Sequence, residues 1–155
     1  MSFKLVIFDL DGTLLDTLED LANAGNHVLY AHGLPTHPIE DYRYFVGDGI
    51  RKLIERMCPP GTSKELQEQL LAENGAWYKT HSQISTKPYE GVLELLDSLK
   101  EKGISAAVLS NKPHFVAKDL VPQYFGQRFA LVHGQREGYP CKPDGRLVEE
   151  IQKEL

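Results

Sequence analysis

The stretch that decides the fold is KLVIFDLDGTLLD, residues 4–16. Leu5 to Phe8 form a continuous apolar run of strand length, which in an α/β protein predicts a central parallel strand buried on both faces. Open α/β sheets bind their ligands beyond the carboxyl ends of such strands, where Asp9 and Asp11 stand. Side chains at positions i and i+2 of an extended segment project to the same side. Both carboxylates are therefore expected to face one ligand.

Two carboxylates at a strand end indicate a bound cation. Like charges a few ångströms apart repel each other, which costs folding free energy unless a cation lies between them. Oxygen ligands favour Mg²⁺ as that cation. Gly12 allows a tight turn and the close approach of a ligand, and Thr13 adds a hydroxyl and an amide. The alternative is an ordinary Asp-Gly turn that ends a strand, since both residues are common in turns.

Composition limits the classes of function. A chain of 155 residues with 41% hydrophobic residues suffices for one domain, or for a small domain with an insertion. The net charge of −5 disfavours binding to nucleic acid or to an anionic membrane, which needs a basic patch. Cys58 and Cys141 have neither the number nor the spacing for a disulfide framework or a zinc site. No signal peptide or membrane span is evident. We therefore expect a cytoplasmic monomer or homodimer whose partner is a small molecule.

A long insertion separates the first two strands. The next strand is predicted only at residues 104–109, after a crossover helix at 89–102 that ends at Gly103. A connection as long as residues 16–87 without structure would be exceptional, so this segment is predicted to be folded.

The insertion has a helical pattern throughout. Its predicted helices are residues 17–33 with a Thr17/Asp20 capping box, residues 39–45 after Pro38, residues 50–57, and a longer helix capped by Ser63 that places Trp77 in the core. The sequence thus predicts a discontinuous α/β core domain, residues 1–15 and 88–155, with an inserted four-helix cap domain at 16–87. A lid of this kind excludes water during chemistry.

Polar residues also follow two later strands. Ser110 and Asn111 end the second strand before a helix that begins at Pro113, and a helix N-terminus with a hydroxyl binds phosphate well. Both residues are equally common as simple N-caps. Lys142 follows a third predicted strand, residues 129–132, in a Lys-Pro-Asp segment before a final helix. A lone lysine of this kind is usually solvated.

The three motifs D-x-D-G-T, S-N-K and K-P-D resemble, in order and placement, the first three motifs of the haloacid dehalogenase-like hydrolase superfamily. The resemblance covers residues 4–155 and implies a Rossmann-like parallel sheet. It also implies that Asp9 attacks phosphorus to give an aspartyl phosphate, that Asp11 transfers the proton, and that Mg²⁺ binds the Asp9 carboxylate and the Asp11 backbone carbonyl. The residues assigned to phosphate binding are Gly12, Thr13, Ser110, Asn111 and Lys142.

The insertion is similar to the phosphoglycolate phosphatase-like branch of the superfamily. In that branch a Gly-x-Gly segment, here Gly47, Asp48 and Gly49, helps to select the substrate. Its glycines could offer amides to a substrate carboxylate, or the segment could be an ordinary helix-opening turn capped by Asp48. The resemblance implies a small phosphorylated metabolite as substrate. Phosphoglycolate phosphatase, pyrophosphatase, sugar-phosphate phosphatase and mutase activities all remain open.

The chain departs from the family pattern at its C-terminus. The fourth motif, an acidic pair that follows a further strand and supplies the remaining metal ligands, has no counterpart before Leu155. We therefore expect an α/β core that is incomplete at its C-terminus and an exposed edge on the first strand, as in a fragment of a protein of about 210 to 220 residues. The rival interpretation is a non-catalytic product that binds phosphate or associates with itself.

Overall fold

The structure is a computed structural model that describes residues 2–155. Strands and helices follow one another in the order β1 (Leu5–Phe8), β2 (Leu15–Asp16), α1 (Leu18–Ala31), a 3₁₀ helix (Ile39–Tyr44), α2 (Ile50–Met57), α3 (Lys64–His81), β3 (Lys87–Pro88), α4 (Val92–Glu101), β4 (Ser105–Pro113), α5 (His114–Phe125), β5 (Leu131–Gln135) and α6 (Arg146–Glu154).

Three parallel strands form the main sheet, in the order β1-β4-β5. Successive side chains of β4 project to opposite faces, as the geometry of a strand requires. Ala106 and Val108 pack in a core with residues of α4 and α5, whereas Ala107 and Leu109 pack in a second core with residues of α6. The sheet therefore has helices on both faces, and the predicted α/β class with a parallel sheet is confirmed.

The first strand lies at an edge of the described sheet, although the apolar run alone predicted a central strand buried on both faces. β1 spans Leu5–Phe8 as expected, but it pairs only with β4 among the described residues, and all four of its residues are half-buried. The central strand is β4, in which residues 106–112 are buried. An apolar run shows that a segment is a strand, but it does not show which strands lie beside it. The edge position agrees with the expectation from the missing fourth motif, but the strand is half-buried there and not exposed.

Two further strand boundaries differ from the prediction. The second strand continues past residue 109 to Pro113, because pairing with β5 resumes after an irregularity. The third strand begins at Leu131 instead of 129 and continues through the polar residues 133–135, which the apolar pattern could not identify. The predicted crossover and final helices are present as α4 and α6.

The chain divides into two compact units, residues 2–16 with Pro88–Leu155, and Thr17–Lys87. The second unit contains α1, the 3₁₀ helix, α2 and α3, so one of the four helices predicted there is a 3₁₀ helix. Its core consists of Ala22, Val28, Leu29, Tyr42, Leu53, Ile54, Met57, Cys58 and Leu70. Gly25 is needed inside α1, since a Cβ there would lie 2.5 Å from the hydroxyl of the fully buried Tyr42. That burial raises the pKa of Tyr42.

Two predictions about this unit were wrong. Thr17 makes no side-chain capping bond; the buried Asp20 instead accepts hydrogen bonds from the Thr86 amide at 2.8 Å and from its hydroxyl at 2.7 Å. Trp77 is half-exposed and stacks between His27 and His81, at ring-centroid distances of 3.6 and 3.5 Å. It therefore lies at the margin of the helical core and not inside it.

Within residues 2–155, no helix is long and apolar enough to cross a membrane.

Candidate active site

Asp9 follows β1 directly and is paired with Lys142. The Nζ atom of Lys142 lies 2.9 Å from Asp9 Oδ1 and donates to the backbone carbonyl of Leu109 at 2.8 Å. The amide of Leu10 donates to the same Asp9 oxygen at 2.8 Å. The side chains of Asp9 and Lys142 are 46% and 28% exposed, so a ligand can reach the pair.

Asp11 is paired with a second lysine, which the sequence analysis did not single out. Lys112 Nζ lies 3.0 Å from Asp11 Oδ1. This pair is far less accessible than the first, because the side chain of Lys112 is only 4% exposed and that of Asp11 only 14%. The available signal was that Lys112 is the third residue of the S-N-K motif, to which no role was assigned.

The segment Ser110 to Lys112 lies in a bulge of β4. Leu109 pairs with His133 and Pro113 pairs with Gln135, so three residues of β4 lie opposite one residue of β5. A bulge of this kind re-aims side chains at the edge of a sheet. The amide of Lys112 donates to Ser110 Oγ at 3.0 Å, which fixes the orientation of that hydroxyl.

Gly134 is the residue of β5 that lies opposite this bulge. A Cβ atom at Gly134 would lie 2.5 Å from the carbonyl oxygen of Lys112 and 2.6 Å from Cα of His114. The Gly134 amide donates to His114 Nδ1 at 3.0 Å. Burial, with nearby Arg136 as the next cause, lowers the pKa of His114. Only glycine permits so close an approach of the two backbones.

Asn111 binds the segment that carries Lys142. Its Oδ1 accepts the Lys142 amide at 2.8 Å, and its Nδ2 donates to the Lys142 carbonyl at 3.4 Å. The side chain of Asn111 therefore holds the backbone of Lys142, a role that its assignment to phosphate binding did not include. The contact joins the second and third sequence motifs directly.

Gly12 and Thr13 lie in the turn that follows Asp11, and both are exposed. Gly12 has a φ of 79° and donates its amide to the Leu15 carbonyl at 2.9 Å. The Thr13 amide donates to the Leu10 carbonyl at 3.2 Å. A phosphate group would have to compete with these backbone carbonyls for the two amides. The assignment of both residues to phosphate binding stays a prediction.

Gly47, Asp48 and Gly49 belong to the helical unit. Gly49, with a φ of 93°, is the N-cap of α2 and makes no side-chain capping bond. Asp48 does not cap the helix as the alternative interpretation expected; it accepts a hydrogen bond from Arg56 Nη2 at 2.6 Å. The proposed role of this segment in substrate selection remains untested.

A magnesium ion would find a partial set of ligands here. Mg²⁺ prefers oxygen ligands and commonly binds proteins through one or two carboxylates, with water and substrate phosphate completing its octahedron. The accessible Asp9 carboxylate fits this chemistry, and the Asp11 backbone carbonyl follows it two residues later. Residues 2–155 contain no group of three or more His, Cys, Asp or Glu side chains that could hold a metal ion.

The three sequence motifs meet at the carboxyl ends of the parallel strands. Asp9 and Asp11 each lie beside a lysine, and these lysines come from the second and third motifs. The sequence profile of the haloacid dehalogenase-like hydrolases matches residues 6–155. The chain belongs to the haloacid dehalogenase-like hydrolase family. The resemblance inferred from the three motifs is thereby confirmed.

Relatives within the family are named as phosphoglycolate phosphatases. The chain is 34% identical over 153 residues to the phosphoglycolate phosphatase of Agrobacterium fabrum, covering 93% of this chain and 64% of that protein. It is 36% identical over 156 residues to phosphoglycolate phosphatase 1 of Pseudomonas aeruginosa, covering 97% of this chain and 57% of that protein. The chain thus spans less than two thirds of the length of these curated relatives.

A solved crystal structure has the same fold as this chain. A crystal structure of a Lactobacillus delbrueckii subsp. bulgaricus protein, proposed to be a phosphoglycolate phosphatase, superposes with a TM-score of 0.93 at 30% identity. The match covers 100% of this chain and 74% of that chain.

Proposed function

We propose that the protein hydrolyses phosphate monoesters, with Asp9 as the nucleophile. The observation that carries this proposal is the accessible pair of Asp9 and Lys142 at the carboxyl end of β1, 2.9 Å apart. The hydrogen bond from the Leu10 amide and the ion pair with Lys142 both involve Asp9 Oδ1, which makes Oδ2 the candidate attacking oxygen. An anionic nucleophile beside a fixed cation suits attack on a negatively charged phosphoryl group.

The reaction divides one difficult displacement into two steps. A carboxylate oxygen of Asp9 bonds to phosphorus while the bond from phosphorus to the ester oxygen breaks, and Asp11 gives its proton to the departing oxygen. Water then attacks the phosphorus of the aspartyl phosphate and loses a proton to Asp11. The Asp9–phosphorus bond breaks and inorganic phosphate leaves. Asp11 thus acts first as a general acid and then as a general base.

Residues from the second and third motifs hold the phosphoryl oxygens. Lys142 supplies a compact positive charge, Ser110 a hydroxyl and Asn111 a backbone amide, each placed before the reaction begins. Mg²⁺, bound by the Asp9 carboxylate and the Asp11 carbonyl, would neutralise negative charge on the phosphate. Pre-placed donors of this kind stabilise the transition state without reorganisation.

We further propose a small phosphorylated metabolite as substrate, with 2-phosphoglycolate as the first candidate. This follows from relatives that carry the name phosphoglycolate phosphatase at 34 to 36% identity. Residues 16–87 would serve as the cap, and Gly47 to Gly49 would contact the substrate carboxylate. A cytoplasmic location, a monomeric or dimeric state, and the lack of nucleic-acid or membrane partners stay predictions.

A substrate panel tests this proposal. The complete gene product, its intact mass checked, is assayed with 2-phosphoglycolate, pyrophosphate, hexose phosphates and p-nitrophenyl phosphate, with Mg²⁺ and after its removal by a chelator. We expect Mg²⁺-dependent turnover and the highest kcat/KM for 2-phosphoglycolate. Preference for pyrophosphate or a hexose phosphate would overturn the substrate assignment. A complete product that hydrolyses none of them would overturn the proposed activity.

A further inference from the structure

Lys112 has a different environment from the lysine next to the nucleophile. Its side chain is 4% exposed, against 28% for Lys142, and it contacts Asp11 at 3.0 Å where Lys142 contacts Asp9 at 2.9 Å. A lysine so enclosed is poorly placed to bind a substrate that arrives from solvent. Its charge is instead directed at a carboxylate of the protein itself.

The backbone of Lys112 is fixed from two sides. Its amide donates to Ser110 Oγ at 3.0 Å. Its carbonyl oxygen lies so close to β5 that a Cβ at Gly134 would stand 2.5 Å away. A side chain that starts from an immobile backbone and ends in a buried ion pair has little freedom to move. The position of Nζ, and with it that of Asp11 Oδ1, is therefore set by the bulge of β4.

We propose that Lys112 is the residue that positions Asp11 for proton transfer, an inference that rests on the proposed phosphatase function. By donating to Oδ1, Lys112 holds the carboxyl group of Asp11 at a fixed angle to the departing group. Lys142 acts on the phosphoryl group, whereas Lys112 acts through Asp11. The two lysines thus have separate roles in the same reaction.

The difference can be measured through the leaving group. A poor leaving group such as an alkoxide needs a proton as it departs, whereas 2,4-dinitrophenolate does not. Formation of the aspartyl phosphate is isolated by mixing excess enzyme with substrate and following release of the leaving group in a single turnover. Both an alkyl phosphate and 2,4-dinitrophenyl phosphate are used, with the complete gene product.

For Lys112→Met we expect the rate with the alkyl phosphate to fall on the order of 10²-fold, and the rate with 2,4-dinitrophenyl phosphate to fall by less than about threefold. Lys112→Arg should restore part of the loss because it keeps the charge and a donor. Lys142→Met should slow both substrates alike, and Lys118→Met, a change at an exposed lysine of α5, should slow neither. Equal losses with both substrates for Lys112→Met, or no loss, would overturn the proposal.

A double substitution covers the case in which Lys112→Met does not fold because the Asp11 carboxylate has lost its lysine. The double variant Asp11→Asn/Lys112→Met removes both charges of this ion pair. Its rate is compared with that of Asp11→Asn alone. Because Lys112 acts through Asp11, we expect no further loss of rate from the second change. A large further loss would show that Lys112 acts on the substrate directly. If the wild-type protein shows no turnover that depends on Asp9, the proposed phosphatase function fails. If turnover depends on Asp9 but the Lys112 variants do not behave as expected, only the role of Lys112 fails.

Discussion

Asp9→Asn is expected to lower phosphatase activity on the order of 10⁴-fold or more while the protein stays folded. The amide of asparagine has the shape of the carboxylate but is a poor nucleophile, so the first bond to phosphorus cannot form. The folded state loses only the partly exposed pair with Lys142, which contributes about 1 kcal/mol or less. The activity is measured with the best substrate of the panel, and folding by circular dichroism and thermal unfolding.

A matched control is available in the same unit. Asp97 lies 2.9 Å from Arg128 Nε on the surface, at the same separation as Asp9 from Lys142. Asp97→Asn removes a comparable ion pair away from the site and should leave kcat/KM unchanged. Substantial activity in Asp9→Asn, or an equal loss in Asp97→Asn, would show that the nucleophile has been assigned wrongly.

Gly134→Ala is expected to destabilise the protein by about 3 kcal/mol, at the upper end of what overpacking usually costs. The new Cβ would meet the Lys112 carbonyl at 2.5 Å and the His114 amide nitrogen at 2.8 Å. Both are backbone atoms, so no change of rotamer relieves the clash, and β4 must shift away from β5. For a chain of this size the midpoint of thermal unfolding should fall by about 6 to 12 °C. Activity of the fraction that remains folded should also fall, because the bulge orients Ser110 and Lys112.

Gly145→Ala is the control for this prediction. Gly145 is the N-cap residue of α6, has a φ of −84°, and has no atom within 4 Å of a built Cβ. Its replacement should change the free energy of unfolding by less than about 1 kcal/mol. A Gly134→Ala protein as stable as Gly145→Ala would contradict the close contact between the two strands.

Much of the fold could be predicted because the relevant signals are local. The apolar run before Asp9 identifies a strand, and the spacing of leucines from Val92 onward identifies a crossover helix. The pairing of strands is not local. The apolar run alone indicates a central strand, yet β1 lies at the edge and β4 at the centre of the described sheet. Only the missing fourth motif indicated the edge position.

A sequence pattern also cannot predict which side chains contact each other within the site. The spacing of D-x-D identified both aspartates, but the bulge that directs Lys112 to Asp11 depends on how β4 meets Gly134. As an asparagine before a helix, Asn111 was expected to be an N-cap or a phosphate ligand. Its side chain instead binds the backbone of Lys142, 31 positions away. Contacts between residues so far apart in sequence form only when the strands and helices pack together.

Trp77 illustrates the limit of helical periodicity. Leu70, Asn74 and Tyr78 are buried at intervals of four residues along α3. Trp77 follows Leu70 by seven residues and shares its face of the helix, yet it is only half-buried. Periodicity gives the face of a helix but not the width of the layer that covers it. The indole ring is therefore placed at the margin, between two imidazole rings.

Covalent phosphorylation of Asp9 during turnover can be tested directly. The complete wild-type protein is mixed with saturating substrate and Mg²⁺, quenched in acid, and reduced with borohydride, which converts an aspartyl phosphate to homoserine. We expect homoserine at position 9 in the peptide mass spectrum, and none in Asp9→Asn. An active enzyme that shows no modification at position 9, or shows it at another residue, would exclude Asp9 as the nucleophile.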